Sequence, residues 1–267
     1  MAYRLMAADY DLTLTHSDHK VSQHTREVIA EVFAAGRMVT LASGRLGGSA
    51  AVVNGMFPGD VPLIVGNGAA LQSSATGEIL WEQLIGERDA LALLRWCRRR
   101  GLTTIVYSRA GLYADRLNMA SDLYNKNSSV TVEKLPSPEF AAASGLYKAL
   151  LLGSPLSVRR ACKALAEDPP CEVDFFTSGP SQLEIVAKGV NKGAALVRAA
   201  AMLGIPIEET IAIGDGENDI SMLRAAGLGI AMENAPDNVK AAADVIAPHC
   251  DRDGAARAME KYLLGKE

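Results

Sequence analysis

Two aspartates separated by one residue, Asp9 and Asp11, follow the first apolar run, Leu5-Met6-Ala7-Ala8. A second acidic cluster, Gly214-Asp215-Gly216-Glu217-Asn218-Asp219, follows another run far along the chain. Carboxylates titrate near pH ~4 and are anionic at neutral pH, so gathering several is unfavourable unless a cation joins them. Oxygen donors of this kind suit Mg²⁺, which takes one or two carboxylates, waters and phosphate oxygens. The pattern implies a metal-assisted phosphoryl-transfer site. Alternation along a strand sends Asp9 and Asp11 toward one face, although a turn at the strand end releases them from that rule.

The elements that must position these groups alternate between strand and helix. Tyr3 to Ala8 reads as a strand. Ser22 to Ala35 reads as a helix with Ser22 as N-cap, Val28, Ile29, Val32 and Phe33 on one face, and Gly36 as terminator. Met38 to Ala42 is a second buried strand, followed by Ser43-Gly44-Arg45 and a helix, and Leu63 to Val65 is a third. Short apolar strands between amphipathic helices predict a parallel sheet, in which ligands collect at the carboxyl ends of strands. Asp9, Asp11 and Ser43 fall there.

From about Trp81 the pattern changes. A helix over Glu87 to Arg100 leads to strands at Thr103 to Tyr107, Gly111 to Ala114, Val130 to Leu135 and Leu146 to Leu152. A helix near Val158 to Leu165 and strands at Glu172 to Thr177 and Gln182 to Ala187 follow, several joined by tight turns. That is an antiparallel or mixed sheet. Alternation then resumes with a helix from Asn191 to Leu203, a strand over Thr210 to Ile213, a helix over Glu217 to Ala226 and a strand over Leu228 to Met232. Helices over Asp237 to Ala243 and Arg252 to Leu264 end the chain. The expected fold is α/β, a Rossmann-like doubly wound parallel sheet core (1–84 and 188–267) with an inserted α+β domain (85–187).

Composition bounds the function. With 267 residues and 49% hydrophobic content, the chain can bury a core. A net charge of −4 offers no electrostatic case for nucleic acid. No apolar run approaches the ~20 residues that cross a bilayer, and the start shows no signal-peptide cleavage region. The cytoplasm is the expected compartment, and the expected assembly is a monomer or small homo-oligomer. Cys97, Cys162, Cys171 and Cys250 lack CxxC spacing and read as buried thiols. His16, His19 and His24 lie in a polar connection and read as a solvated loop, and Arg98-Arg99-Arg100 reads as the solvated end of a helix. Asp9-x-Asp11-x-Thr13 fails as an EF-hand loop, with Leu14 where glycine is needed and Lys20 where glutamate is needed. No GxxxxGK[ST] loop occurs, which argues against an ATP-dependent kinase.

The chain resembles the haloacid dehalogenase superfamily phosphatases of the Cof type, whose large α/β cap is inserted between the second and third signature motifs. Asp9-Tyr10-Asp11-Leu12-Thr13 matches the first motif and Ser43 in Ala42-Ser43-Gly44-Arg45 the second. Lys192 in Gly189-Val190-Asn191-Lys192-Gly193 matches the third, and Gly214 to Asp219 the fourth. Leu12 stands where glycine is usual, and Ser43 where threonine is commoner.

The resemblance implies that Asp9 is the nucleophile of an aspartyl-phosphate mechanism and that Asp11 is general acid and then base. In that scheme Asp11 ligates the metal through its backbone carbonyl. Asp215 ligates Mg²⁺ with Asp9, and Asn218 and Asp219 complete its shell or hold its waters. Ser43 and the Gly44 N–H grip the phosphoryl oxygens, and Lys192 supplies the remaining positive charge. Blander readings stand beside these. Asp215 to Asp219 alone equally caps a helix. Lys192 in isolation is a surface lysine, Asn67 in Gly66-Asn67-Gly68 is a turn or a substrate contact, and Arg45 is a surface residue or a phosphate contact.

The expected substrate is a small soluble phosphate monoester, phosphosugars first. A phosphohexomutase using the same aspartyl-phosphate and a non-catalytic phosphometabolite-binding module are the alternatives. A dehalogenase needs neither Asp11 nor the full metal cluster. The cap is expected to close over the site and choose the substrate, with Tyr113, Arg116, Tyr124 and Lys148 as candidate contacts.

Overall fold

The computed structural model describes residues 2–46, 55–128 and 131–266. The helix expected after Arg45 and the start of the strand expected at Val130 lie outside the described residues. The chain forms two compact units, Met1–Glu82 with Asn191–Glu267, and Gln83–Val190. The boundaries read from the sequence stand a few residues away from these.

The first segment runs through β1 (Leu5–Ala8), α1 (Gln23–Ala34), β2 (Met38–Leu41), β3 (Pro62–Val65), β4 (Ala70–Ser73) and β5 (Ile79–Glu82). The insert carries α2 (Glu87–Arg99), β6 (Thr103–Ser108), β7 (Gly111–Ala114), α3 (Met119–Ser128), β8 (Glu133–Lys134) and α4 (Pro138–Ala143). It continues with β9 (Leu146–Leu152), α5 (Pro155–Glu167), β10 (Val173–Thr177) and β11 (Gln182–Ala187). The chain closes with α6 (Lys192–Met202), β12 (Thr210–Gly214), α7 (Ile220–Ala225), β13 (Leu228–Met232), α8 (Asp237–Lys240), β14 (Val245–Ala247) and α9 (Gly254–Tyr262).

The core sheet has the order β14-β13-β12-β1-β2 and is parallel throughout. Its central strands β1 and β12 are buried on both faces, which is why they read as continuous apolar runs. The chain leaves β1 toward β2 on one side, and β12 toward β13 and β14 on the other. The order therefore reverses between β1 and β12, and the crevice at their carboxyl ends is where such sheets bind ligands. Behind it, Ala195, Leu196, Ala199 and Ala200 of α6 pack with Leu5, Ala7 and Ala212 into one apolar cluster.

The third predicted strand departs from expectation. β3 meets the parallel sheet through the Ala42–Ile64 bridge and a bond from the Thr40 hydroxyl to the Pro62 carbonyl, and then pairs antiparallel with β4, which pairs with β5. The Gly66-Asn67-Gly68 turn reverses the chain there, and a Cβ at Gly68 would meet the Asn191 carbonyl oxygen at 2.3 Å. Only glycine lets this turn lie against the start of α6.

The insert sheet runs β10-β11-β9-β6-β7-β8, antiparallel except for the β7–β8 pair. Ser137 and Ser154 cap α4 and α5, each with proline at the first helical position. Among the described residues of the strand expected over Val130 to Leu135, Glu133–Lys134 is strand. Lys148 is buried against Glu184 at 2.6 Å and sits over the Tyr107 ring at 4.3 Å, and Tyr107 shares a hydrogen bond with Tyr124. Tyr113 donates to the Ala110 carbonyl, and Arg116 pairs with Asp115. Arg100 ends α2 stacked on Trp96 at 4.4 Å.

The polar connection before α1 is tied to the C-terminal helix. Ser22 accepts from the Thr25 N–H as N-cap and donates to Asp253, which also pairs with His16 at 2.8 Å. His24 lies near Glu260, so both histidines face carboxylates. Burial pushes the Asp253 carboxyl up, but its bonds to Ser22 and His16, with the charges of His16 and His24, outweigh burial and hold it below its usual range. A carboxyl more acidic in the folded state stabilises above its ordinary pKa of about 4 and loses that contribution as pH falls through the depressed value. Asp253→Asn is therefore expected to destabilise by ~1 kcal/mol at neutral pH. In urea unfolding, the loss should shrink once the solution is acid enough to protonate Asp253.

Candidate active site

Asp9 follows β1 and Asp215 follows β12, on the two sides of the point where the strand order reverses. Asp9 continues the ladder by donating its N–H to the Ile213 carbonyl at 2.9 Å. Asn191 caps α6 by accepting from the Ala194 N–H at 2.8 Å, which makes Lys192 the first helical residue. A cation at a helix N-terminus opposes the dipole by ~0.3–1 kcal/mol. Lys192 is nevertheless fully buried, because its ammonium donates to Asp9 Oδ1 and Asp219 Oδ1, both at 2.6 Å. Burial pulls the Lys192 ammonium down, but the charges of Asp219 and Asp9 outweigh it and hold it above the usual lysine range.

Asp219 organises the second acidic loop. Its Oδ2 accepts from the N–H groups of Asp215 at 3.0 Å and Gly216 at 2.9 Å, while its Oδ1 faces Lys192. The carboxyl folds back so closely that a Cβ at Gly214 would lie 2.4 Å from it. The helix expected over Glu217 to Ala226 is accordingly split into one tight turn, Glu217–Asp219, and α7.

Oxygens of Asp9, Asp215 and Asp219 all lie within 4.8 Å of one another. Burial raises the Asp9 carboxyl well above its usual range, Lys192 opposes this, and Asp219 and Asp215 add to it. Asp215 is pushed up to about 6 by burial and by Asp219, against a bond from Thr13 at 3.1 Å and the charge of Lys192. Among the described residues, three carboxylates face a single ammonium, so the cluster is short of positive charge. Its donors are all hard oxygens, and a divalent cation fits both the charge and the chemistry.

Ser43 lies after β2. Its N–H donates to the Ile64 carbonyl at 2.8 Å, and its hydroxyl accepts from the Arg45 N–H at 3.2 Å. Asn67 donates its N–H to the Ser43 carbonyl at 3.0 Å and accepts from the Asn218 amide at 2.9 Å. A Cβ on Gly44 would stand 3.1 Å from the Asn67 amide. Asn218, expected at the metal, thus has its amide nitrogen on Asn67. The Asp11 carboxyl is held by the Arg45 guanidinium, with contacts of 2.8 and 3.1 Å. Arg45 therefore engages a carboxylate, where the sequence offered only a solvated side chain or a phosphate contact.

Leu12, where glycine is usual in the resembling motif, has φ +58°. Its N–H donates to the Thr15 hydroxyl at 3.0 Å and its carbonyl accepts from Asn234 at 2.9 Å. Two bonds to one peptide pair hold a conformation that disfavours leucine by ~1–2 kcal/mol. Leu12→Gly relieves that strain while loosening the unfolded chain and giving up some packing, so stability should stay within ~1 kcal/mol of wild type. Leu14→Ala, at a buried position two residues on, is expected to cost about 3–5 kcal/mol in the same denaturant titration. The roles of Thr13, Thr15 and Asn234 escaped the sequence reading. Thr13 was visible as the last residue of the first motif, whereas Asn234 had only its place beyond a strand end as a signal.

A sequence profile of the haloacid dehalogenase-like hydrolases matches residues 6–259. The chain belongs to that family. Among relatives of this hydrolase, the 5-amino-6-(5-phospho-D-ribitylamino)uracil phosphatase YcsE of Bacillus subtilis is 28% identical over 267 residues, covering 98% of this chain and 96% of its own. The crystal structure of TM0651 from Thermotoga maritima superposes with a TM-score of 0.84 at 30% identity, covering 97% of each chain. The HAD subclass IIB sugar phosphatase BT4131 does so with a TM-score of 0.83 at 25% identity, covering 97% of this chain and 98% of that one. The protein is a phosphatase of this family, of the Cof type with a cap domain. Among the described residues no helix is long and apolar enough to cross a membrane.

Proposed function

We propose that this hydrolase is a Mg²⁺-dependent phosphatase acting on small phosphate monoesters, phosphosugars first, through an aspartyl-phosphate on Asp9. The observation that carries the reading is the buried cluster itself, with Asp9 and Asp215 beyond neighbouring strand ends and Lys192 clamped between Asp9 and Asp219. A nucleophile must be anionic, yet burial and its acidic neighbours push Asp9 toward the neutral form. A cation held by Asp9 and Asp215, with Asp219 behind them, would restore the charge and neutralise the phosphoryl oxygens.

In the first half-reaction an Asp9 oxygen bonds to phosphorus, the phosphorus–alkoxide bond breaks, and the alkoxide takes a proton from Asp11. Ser43 and the Gly44 N–H hold phosphoryl oxygens, and Lys192 adds positive charge beside the nucleophile. In the second, water attacks phosphorus and gives its proton to Asp11, and Asp9 leaves as carboxylate. Sugar phosphates come first because of the subclass IIB sugar phosphatase among the structural relatives. The activity named for the Bacillus relative adds 5-amino-6-(5-phospho-D-ribitylamino)uracil to the compounds worth assaying.

The test is orthophosphate release across a panel of hexose phosphates, nucleotides, flavin mononucleotide, pyridoxal phosphate and that ribityl compound. The panel is run with Mg²⁺ and with chelator. The proposal expects release that chelator abolishes and Mg²⁺ restores. Conversion of a hexose 1-phosphate to its 6-phosphate with little release would instead make the protein a mutase. Binding without turnover would make it a binding module.

A further inference from the structure

The Asp11 carboxyl is spoken for in a way the phosphatase reading does not require. Both of its oxygens accept from the Arg45 fork, Nε to Oδ2 at 3.1 Å and Nη2 to Oδ1 at 2.8 Å, the bidentate geometry that fixes a carboxylate in its plane. Arg45 is fixed in turn. Its N–H bonds the Ser43 hydroxyl, its carbonyl accepts from the Gly66 N–H at 2.9 Å, and its guanidinium lies 5.5 Å from the Tyr10 ring centroid. His19 also faces Asp11, at 3.8 Å. The pair is partly open, with the two side chains 36% and 40% exposed, so as a surface ion pair it adds little to stability. What it does impose is orientation.

We propose that Arg45 is a positioning residue, fixing the plane of the Asp11 carboxyl that takes the proton of the attacking water in the second half-reaction. In that step the water oxygen bonds to phosphorus, the phosphorus–Asp9 bond breaks, the proton passes to Asp11, and orthophosphate leaves. The inference rests on the proposed aspartyl-phosphate chemistry.

p-Nitrophenyl phosphate separates the halves, because its leaving group departs as a stable phenolate without a proton. On this substrate Arg45→Ala should lower kcat about 10- to 100-fold, the usual effect of misplacing a catalytic group by ~1 Å. KM should fall in step, kcat/KM should stay nearly constant, and rapid mixing should show a nitrophenolate burst as phosphoenzyme accumulates. Arg45→Lys, which keeps the charge without the fork, should recover only part of the rate. Arg45→Ala combined with Asp11→Asn should be no slower than Asp11→Asn alone. A rise in KM at unchanged kcat would make Arg45 a substrate contact and overturn the inference, as would losses that multiply in the double variant. If Asp11→Asn slows kcat and Arg45→Ala does not, the inference fails alone. If Asp11→Asn leaves kcat unchanged, the proposed reaction fails with it.

Discussion

Asp9→Asn is expected to remove turnover by at least about 10⁴-fold, the scale on which loss of a covalent nucleophile acts, while leaving the fold at least as stable as wild type. The two halves of this expectation have one cause. Asp9 is buried beside Asp219 and Asp215, and its carboxyl is pushed up despite Lys192. Ionised Asp9 is thus held against its environment, strain that the active site keeps because the chemistry needs an anion. The amide has the same shape, carries no charge and leaves Lys192 paired with Asp219. Phosphate release assayed with Mg²⁺ and thermal unfolding measured without metal should therefore move apart, activity vanishing while the midpoint holds or rises. A parallel fall in both would mean that Asp9 serves mainly to hold the fold.

Lys192→Met is expected to have the second-largest effect, and here activity and stability fall together. Removing one member of a buried charge cluster typically costs about 3–5 kcal/mol, because the partners are left uncompensated. Relief of the adverse helix dipole returns at most ~1 kcal/mol and does not change the sign. The pH dependence follows from Asp9. Its folded-state carboxyl is already raised, and Lys192 is the main influence lowering it, so the variant raises it further. A carboxyl whose folded pKa exceeds its unfolded value gains stability as the solution is acidified through the raised value. The deficit of Lys192→Met in guanidinium unfolding should therefore be largest at alkaline pH and shrink toward acid. A deficit independent of pH would mean that lost packing, and not uncompensated charge, sets the cost.

The parts of this protein legible in its sequence are those where local chemistry and long-range structure agree. Ser22 looks like an N-cap and is one, and the helix expected from Asn191 begins there with Asn191 as its cap. β1, β12 and β13 look like buried parallel strands because nothing polar interrupts them. Lys192 and the acidic loop were found as motif pieces, and the fold brings them to Asp9. What the sequence hid depends on partners distant along the chain. β4 and β5 are short, and the half-exposed Ile79–Glu82 finds its partner in β4, which the chain reaches from β3 by turning back through a left-handed Asn67. α3 and α4 are short helices of mixed polarity whose faces give little periodic signal. The Asp11–Arg45 fork joins residues whose spacing suggests no contact. Leu12 was conspicuous as the wrong residue for its motif, but only the backbone shows that it occupies the left-handed conformation a glycine would take freely.

The central claim is that phosphorus passes through Asp9 on its way to water. The stereochemical course at phosphorus tests it most directly, using a phosphate monoester made chiral with oxygen isotopes and hydrolysed by the wild-type protein with Mg²⁺. Two in-line displacements, first by Asp9 and then by water, predict net retention. Net inversion would mean a single direct attack by water and would contradict the account.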